Sequence, residues 1–195
     1  MAGEIILRTL EHVWDTLEPT NVPMALMGGL AAAAWGHVRA THDVDLLVAV
    51  QANEFDRVAE ALTAGGLRPK GRELIRDLGT MRIAQFLYEP PDSFVDVQVD
   101  LLLAECEYQR SALARRVPTL LEGMSRNLDV LSCEDLVLHK LLAGRIVDRA
   151  DAAALVRANR PGLDFDYMRV WIAKLDVAKP WNEIWSEAFP GEEFL

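Results

Sequence analysis

The order of apolar and polar positions predicts a chain that mixes strands and helices in its first half and becomes mainly helical afterwards. Ile5, Ile6, Leu10, Val13 and Leu17 recur at helical spacing across residues 4–18, and Pro19-Thr20-Asn21 stops that helix. Met24 to Met27 reads as a short buried strand, followed by Gly28-Gly29 and an alanine-rich helix from Leu30 to Trp35 that Gly36 ends. Val44 to Val50 reads as a strand. A helix over Asn53–Ala64 places Phe55, Val58, Ala59 and Leu62 on one side before Gly65-Gly66. Strands follow at 81–88 and 94–103, joined through Pro90-Pro91-Asp92.

Beyond residue 104, Glu105–Arg116, Cys133–Gly144, Val147–Ala158 and Tyr167–Leu175 read as helices. Ser132 can cap the second, with Glu134 and Asp135 in its first turn. Trp171, Trp181 and Trp185 read as packing for this helical part. The expected architecture is α/β (α+β): a mixed sheet with flanking helices over 1–104, and a helical region over 105–195 packed against it. A cleft between two such parts is a natural ligand site.

Length and composition narrow the function. The chain has 195 residues, 51% of them hydrophobic, which suffices for one substantial core. No apolar run reaches the roughly 18 residues of a membrane helix. Glu4 precedes the first basic residue, so the N-terminal segment does not read as a signal peptide. The two cysteines, Cys106 and Cys133, fit a reducing cytoplasm better than a disulfide scaffold. A net charge of −10 argues against a general DNA binder. The arginines at 110–126 and 145–160 read as solvated helix faces.

The candidate chemistry lies in two strands. Side chains at i and i+2 of a strand share a face, so Asp43 and Asp45 project together, roughly 6–7 Å apart along the chain. Two carboxylates so placed repel unless a cation lies between them, and Mg²⁺, which takes oxygen ligands, is the natural one, with Mn²⁺ as an alternative ion. On 94–103, Asp96, Gln98 and Asp100 share one face, and one of these acids can complete the site if the two strands are neighbours. Three carboxylates can hold two metals about 3.5–4 Å apart, the spacing used for in-line displacement at phosphorus. Gly28-Gly29, at a helix N-terminus, permits close backbone approach to an anionic phosphate. His37, His42 and His139 with Cys106 or Cys133 match no zinc spacing, and no Walker loop, dinucleotide fingerprint or hydrolase elbow is found in the sequence.

The order of these features carries more than any one of them: Gly28-Gly29, then Arg39, Thr41, Asp43 and Asp45, then Val99-Asp100-Leu101-Leu102, then Glu134-Asp135-Leu136, Lys140-Leu141-Leu142-Ala143, Arg145 and Asp148-Arg149-Ala150-Asp151. Across residues 24–156 this pattern resembles the DNA polymerase beta-type nucleotidyltransferase superfamily. Its nearest likeness is to small bacterial nucleotidyltransferases that include toxins of abortive-infection and toxin–antitoxin systems. The resemblance implies a cytoplasmic, metal-dependent enzyme that moves a nucleoside monophosphate from a nucleoside triphosphate to an acceptor hydroxyl. The acceptor could be a tRNA, a protein or a small molecule, and an antitoxin protein is an expected partner. It further implies that Asp43 and Asp45 bind both metals and that Asp100 binds the one on the acceptor side. Gly28 and Gly29 would cradle the triphosphate, with Arg39 and Thr41 beside it. Lys140 would neutralise phosphate charge, and Asp148 would orient Lys140 or the acceptor. Asp100 rather than Asp96 is the expected third acid, because the apolar run Leu101–Leu103 follows it. Many superfamily members have serine after the first glycine; Gly29 offers only its backbone N–H. The alternative reading is a non-catalytic nucleotide-binding or protein-interaction module on the same fold.

Overall fold

The computed structural model describes residues 2–79 and 81–194. Helix α1 (Ala2–Leu17) buries Ile6, Leu10, Val13, Trp14 and Leu17 along one stripe. Strand β1 (Met24–Met27), helix α2 (Gly28–Ala34) and strand β2 (Asp43–Val48) follow, then α3 (Asp56–Ala64). Next come β3 (Arg68–Pro69), β4 (Ile75–Asp77), β5 (Arg82–Tyr88), β6 (Val97–Leu103) and α4 (Glu107–Ala114). Strands β7 (Val117–Leu120) and β8 (Asn127–Val130) precede α5 (Cys133–Ala143), α6 (Ile146–Asn159), α7 (Phe165–Lys174) and α8 (Ala178–Ala188).

All described strands join one mixed sheet, in the order β3-β5-β6-β2-β1-β8-β7, with β4 pairing on β5. Strand β2 lies antiparallel to β1 and parallel to β6. The central strands alternate strictly. Val44, Leu46 and Val48 of β2 enter the main core together with Val97, Val99, Leu101 and Leu103 of β6. The opposite face starts with carboxylates and ends in a smaller apolar cluster, where Leu47 and Leu102 meet Ala25, Ala112, Leu113 and Leu131. One edge of that face is thus closed by apolar packing, while the edge that carries the acids stays open.

Helix α5 is buried from Cys133 to Leu141, as expected for a helix covered on several sides. Ser132 caps it by accepting from the Asp135 N–H at 3.2 Å. Gly144, at φ 69°, ends it in the left-handed conformation that glycine adopts without penalty. The chain then reverses into α6. Lys140 and Asp148 therefore face each other across a helical hairpin.

Several elements differ from expectation. Gly28 and Gly29 are the first residues of α2 and not a turn before it. Strands β7 and β8 lie inside the stretch expected to be helical and add a hairpin to the sheet; β8 pairs parallel with β1. Their short segments, one with Pro118, carry no clean alternation. Helix α8 and the short strands β3 and β4 were also not expected. The tryptophans do pack the helical part: Trp181 and Trp185 lie 5.7 Å apart, and Phe194 sits 4.8 and 4.9 Å from them. No helix among the described residues is long and apolar enough to cross a membrane.

Trp181 is 1% exposed. Its replacement in Trp181→Ala should remove about 3–5 kcal/mol of stability, read as a lower midpoint in urea denaturation. An unchanged midpoint would show that α8 does not belong to the cooperative core.

Candidate active site

The sheet register builds the acidic centre. Asp45 lies directly opposite Asp100 on the parallel neighbour, and Asp43 lies opposite Gln98. Because opposite residues share a face, Asp43, Asp45 and Asp100 converge, with one carboxylate oxygen from each within 4.8 Å of the others. None of the three is ion-paired to a side chain among the described residues. Asp96, the other acid on this face, instead pairs with Arg68 on the outer part of the sheet.

This crowding has an electrostatic signature. Asp45 is pushed up to about 7, first by desolvation and then by Asp43 and Asp100, with Lys140 and Arg145 pulling the other way. Burial also raises Asp100, against the hydrogen bonds that Gln98 and Gln85 donate to it. Thr41 Oγ1 donates to Asp43 Oδ1 at 2.7 Å and fixes that carboxylate.

The glycine pair is dictated by these same side chains. Gly28 has φ +69°, and a Cβ there would lie 1.8 Å from Asp45 Oδ2. A Cβ at Gly29 would lie 2.6 Å from Thr41 Oγ1. The departure from serine at position 29 therefore has a local cause: the Thr41 hydroxyl stands where a side chain at 29 would begin. Any side chain at 28 would collide with the acidic centre.

Across the cleft, the α5–α6 hairpin brings up a second set of charges. Lys140 Nζ donates to Asp151 Oδ2 at 2.6 Å and lies 3.7 Å from Asp148 Oδ1. Arg39 Nε donates to both Asp151 oxygens at 3.0 Å, and the His37 ring meets Asp151 Oδ1 at 2.9 Å. Burial alone would raise Asp151, but the bonds from Lys140, His37 and Arg39 outweigh it and hold the group below its ordinary value. Arg145 makes a fork to Asp148 at 2.6 and 3.2 Å. Asp151, not Asp148, is thus the closest acid to Lys140.

These walls enclose a cavity of about 500 Å³. All of the residues singled out by sequence border it: Gly28, Gly29, Arg39 and Thr41 beside the acids Asp43, Asp45 and Asp100, with Lys140 and Asp148 opposite. The sequence reading missed Gln85 altogether and gave Gln98 no role. A polar residue at an i−2 position from a candidate ligand is the signal that could have singled out Gln98; Gln85 becomes visible only once the strand order is known.

Charge crowding sets a pH dependence. Between the ordinary carboxyl value of 3.8 and about 7, the folded chain keeps a proton on Asp45 that the unfolded chain has lost. The folded state then binds more protons, so this group makes stability fall as pH rises through that window. Metal-free wild type should lose stability between pH 6 and pH 8, and Asp45→Asn should narrow that loss. Urea denaturation in a chelating buffer at both pH values checks this; an equal loss in both proteins would refute the electrostatic account.

Comparison with known proteins identifies the family and the fold. The family described as nucleotidyl transferase AbiEii toxin, type IV TA system, matches residues 12–158. The fold is similar to that of the antibiotic-resistance factor ANT(2'')-Ia in solution, with a TM-score of 0.60 at 17% identity over 96% of this chain and 99% of that one. The same factor in complex with adenylyl-2''-tobramycin gives 0.54 at 17% identity, over 87% and 97%. An antigenic nucleotidyltransferase-like protein from Paracoccidioides brasiliensis gives 0.54 at 18% identity, over 94% and 96%. No curated protein matches the sequence. The family match spans most of the chain, and the chain belongs to the AbiEii family of nucleotidyltransferase toxins of type IV toxin–antitoxin systems.

Proposed function

We propose that this protein is a Mg²⁺-dependent nucleotidyltransferase that moves a nucleoside monophosphate from a nucleoside triphosphate to an acceptor hydroxyl. The observation that carries the reading is the convergence of Asp43, Asp45 and Asp100 within 4.8 Å at the wall of the cavity. The donor set suits a hard divalent cation: it offers only oxygen, its charges repel one another, and among the described residues no protein cation is ion-paired with it. Mn²⁺ suits the same donors. Bound there, divalent metal would polarise the α-phosphate and acidify the acceptor hydroxyl.

The chain's own residues do the rest. Asp43 and Asp45 would hold the divalent metal, and Asp100 would hold it on the acceptor side. Gly28 and Gly29 present backbone N–H groups at the start of α2 to the triphosphate. Thr41 keeps Asp43 in place, and Arg39 braces Asp151. Lys140, with Asp148 beside it, brings positive charge to the triphosphate across the cleft. The acceptor oxygen forms its bond to the α-phosphorus as the bond to the β-phosphate oxygen breaks. Pyrophosphate leaves with that electron pair, and the hydroxyl proton passes to water. In this scheme residues 1–104 form the nucleotidyltransferase core and 105–195 the region that closes the cleft. The family points to action as a toxin in the cytoplasm, restrained by an antitoxin protein. In the complex of ANT(2'')-Ia the adenylyl group is on tobramycin; for this chain a small molecule, a tRNA and a protein are the candidate acceptors.

Incubation with Mg²⁺ and each α-³²P-labelled nucleoside triphosphate, with and without total cellular RNA, tests the proposal. Label should move to RNA, protein or a small product with pyrophosphate release, and Asp45→Ala should reduce transfer on the order of 100-fold or more while the protein stays folded. Mg²⁺-dependent nucleotide binding with no transfer to any acceptor would favour the non-catalytic module instead. Expression in a bacterial host without an antitoxin should arrest growth, and Asp45→Ala should relieve the arrest. Equal arrest by both proteins would separate toxicity from this site.

A further inference from the structure

Beyond Asp100, the open face of the sheet carries a connected set of polar side chains that the scheme above leaves unused. Gln98 donates through Nε2 to both Asp100 oxygens, at 2.8 and 2.9 Å. Gln85, directly opposite Asp100 on β5, donates to Oδ1 at 3.1 Å. Each amide is held in turn by its carbonyl. Lys70 Nζ donates to Gln98 Oε1, and Arg76 Nη1 donates to Gln85 Oε1 at 2.9 Å.

The chemistry of the groups fixes the direction of both chains. An ammonium or guanidinium can only donate, and a carboxylate can only accept. A glutamine between them is satisfied in one orientation, with its carbonyl to the cation and its amino group to Asp100. Among the described residues neither Lys70 nor Arg76 is ion-paired to a carboxylate, so both are committed to these amides. Asp96, on the same face, shows the other solution: Arg68 pairs with it directly. A direct cation on Asp100 would compete with a metal for the same oxygens. An amide in between fixes the carboxylate without neutralising it.

We propose that Gln98 and Gln85, locked by Lys70 and Arg76, are positioning residues that hold Asp100 ready as the acceptor-side metal ligand. This rests on the reading of Asp100 as a ligand. Hydrogen-bonding partners that orient a ligating carboxylate set metal affinity, and their loss commonly costs 10–100-fold. Both cations are exposed, Lys70 just after β3 and Arg76 on β4, so the relay can be broken at its outer end without disturbing the core.

Mn²⁺ binding, followed by electron paramagnetic resonance and calorimetry without nucleotide or acceptor, reads the relay apart from turnover. Gln98→Leu with Gln85→Leu should weaken Mn²⁺ binding about 10–100-fold. Lys70→Met should weaken it in the same direction by less, and Lys70→Arg, which keeps the cation, should restore it. Wild-type affinity in both the leucine pair and Lys70→Met would overturn the relay. If the leucine pair does not fold, the two Lys70 variants decide alone. Failure of wild type to bind Mn²⁺, or wild-type binding by Asp100→Asn, would instead remove Asp100 as a ligand and the relay with it.

Discussion

The constraint on which the rest depends is the crowding of three carboxylates on two adjacent parallel strands. Pairing of β2 with β6 sets Asp45 opposite Asp100, and no side-chain rotation can carry them far apart while that ladder holds. The repulsion is sustained by the other face of the same strands, where Val44, Leu46, Val99 and Leu101 are fully buried. A one-residue slip of β2 would turn Val44 and Leu46 out of the core and Asp43 and Asp45 into it. The hydrophobic alternation that fixes the fold therefore also fixes the chemistry, and neither can shift without the other.

The backbone around the acids answers to the same constraint. Gly28 leaves room for the Asp45 carboxylate, and Gly29 leaves room for Thr41, which in turn holds Asp43. A glycine pair next to a phosphate-binding helix is usually explained by the ligand. Here the protein's own side chains already exclude a Cβ at both positions. The glycines let the acids and the helix N-terminus occupy one small volume, which is what a metal bridging carboxylates and phosphates needs.

Much of this was legible in the sequence because it depends on local period. The face shared by Asp43 and Asp45, the separate face of the apolar residues and the capped helix after Ser132 all follow from spacing along one element. What depends on pairing between distant segments was not legible. Nothing in the β7 and β8 segments advertises that they extend the sheet, since Val117-Pro118-Thr119-Leu120 is short and mostly exposed. The resemblance implied Asp148 as the group that orients Lys140, whereas the α5–α6 hairpin sets Asp151 closer. Gln85 carries no signal of its own; its position opposite Asp100 is a property of the sheet.

The distribution of cations gives these features a common sense. Five surround the acidic centre, and each is committed to a partner outside it. Lys140 and Arg39 are held by Asp151, Arg145 by Asp148, Lys70 by Gln98 and Arg76 by Gln85. A fold that needed only stability would let one of them pair with Asp45, which instead stays buried at a cost in desolvation and, after it, charge repulsion. On the proposed reading, keeping these cations one group away leaves the acidic centre unpaired for a metal, with the positive charge of Lys140, Arg39 and Arg145 at the cavity wall for a phosphate tail. The same spacing acts on both sides of the cleft, through acids on the α5–α6 hairpin and through amides on the sheet. On the proposed reading, the difference follows from what each side holds in place: the hairpin acids keep Lys140 and Arg39 beside the cavity, and the sheet amides keep Asp100 where it is.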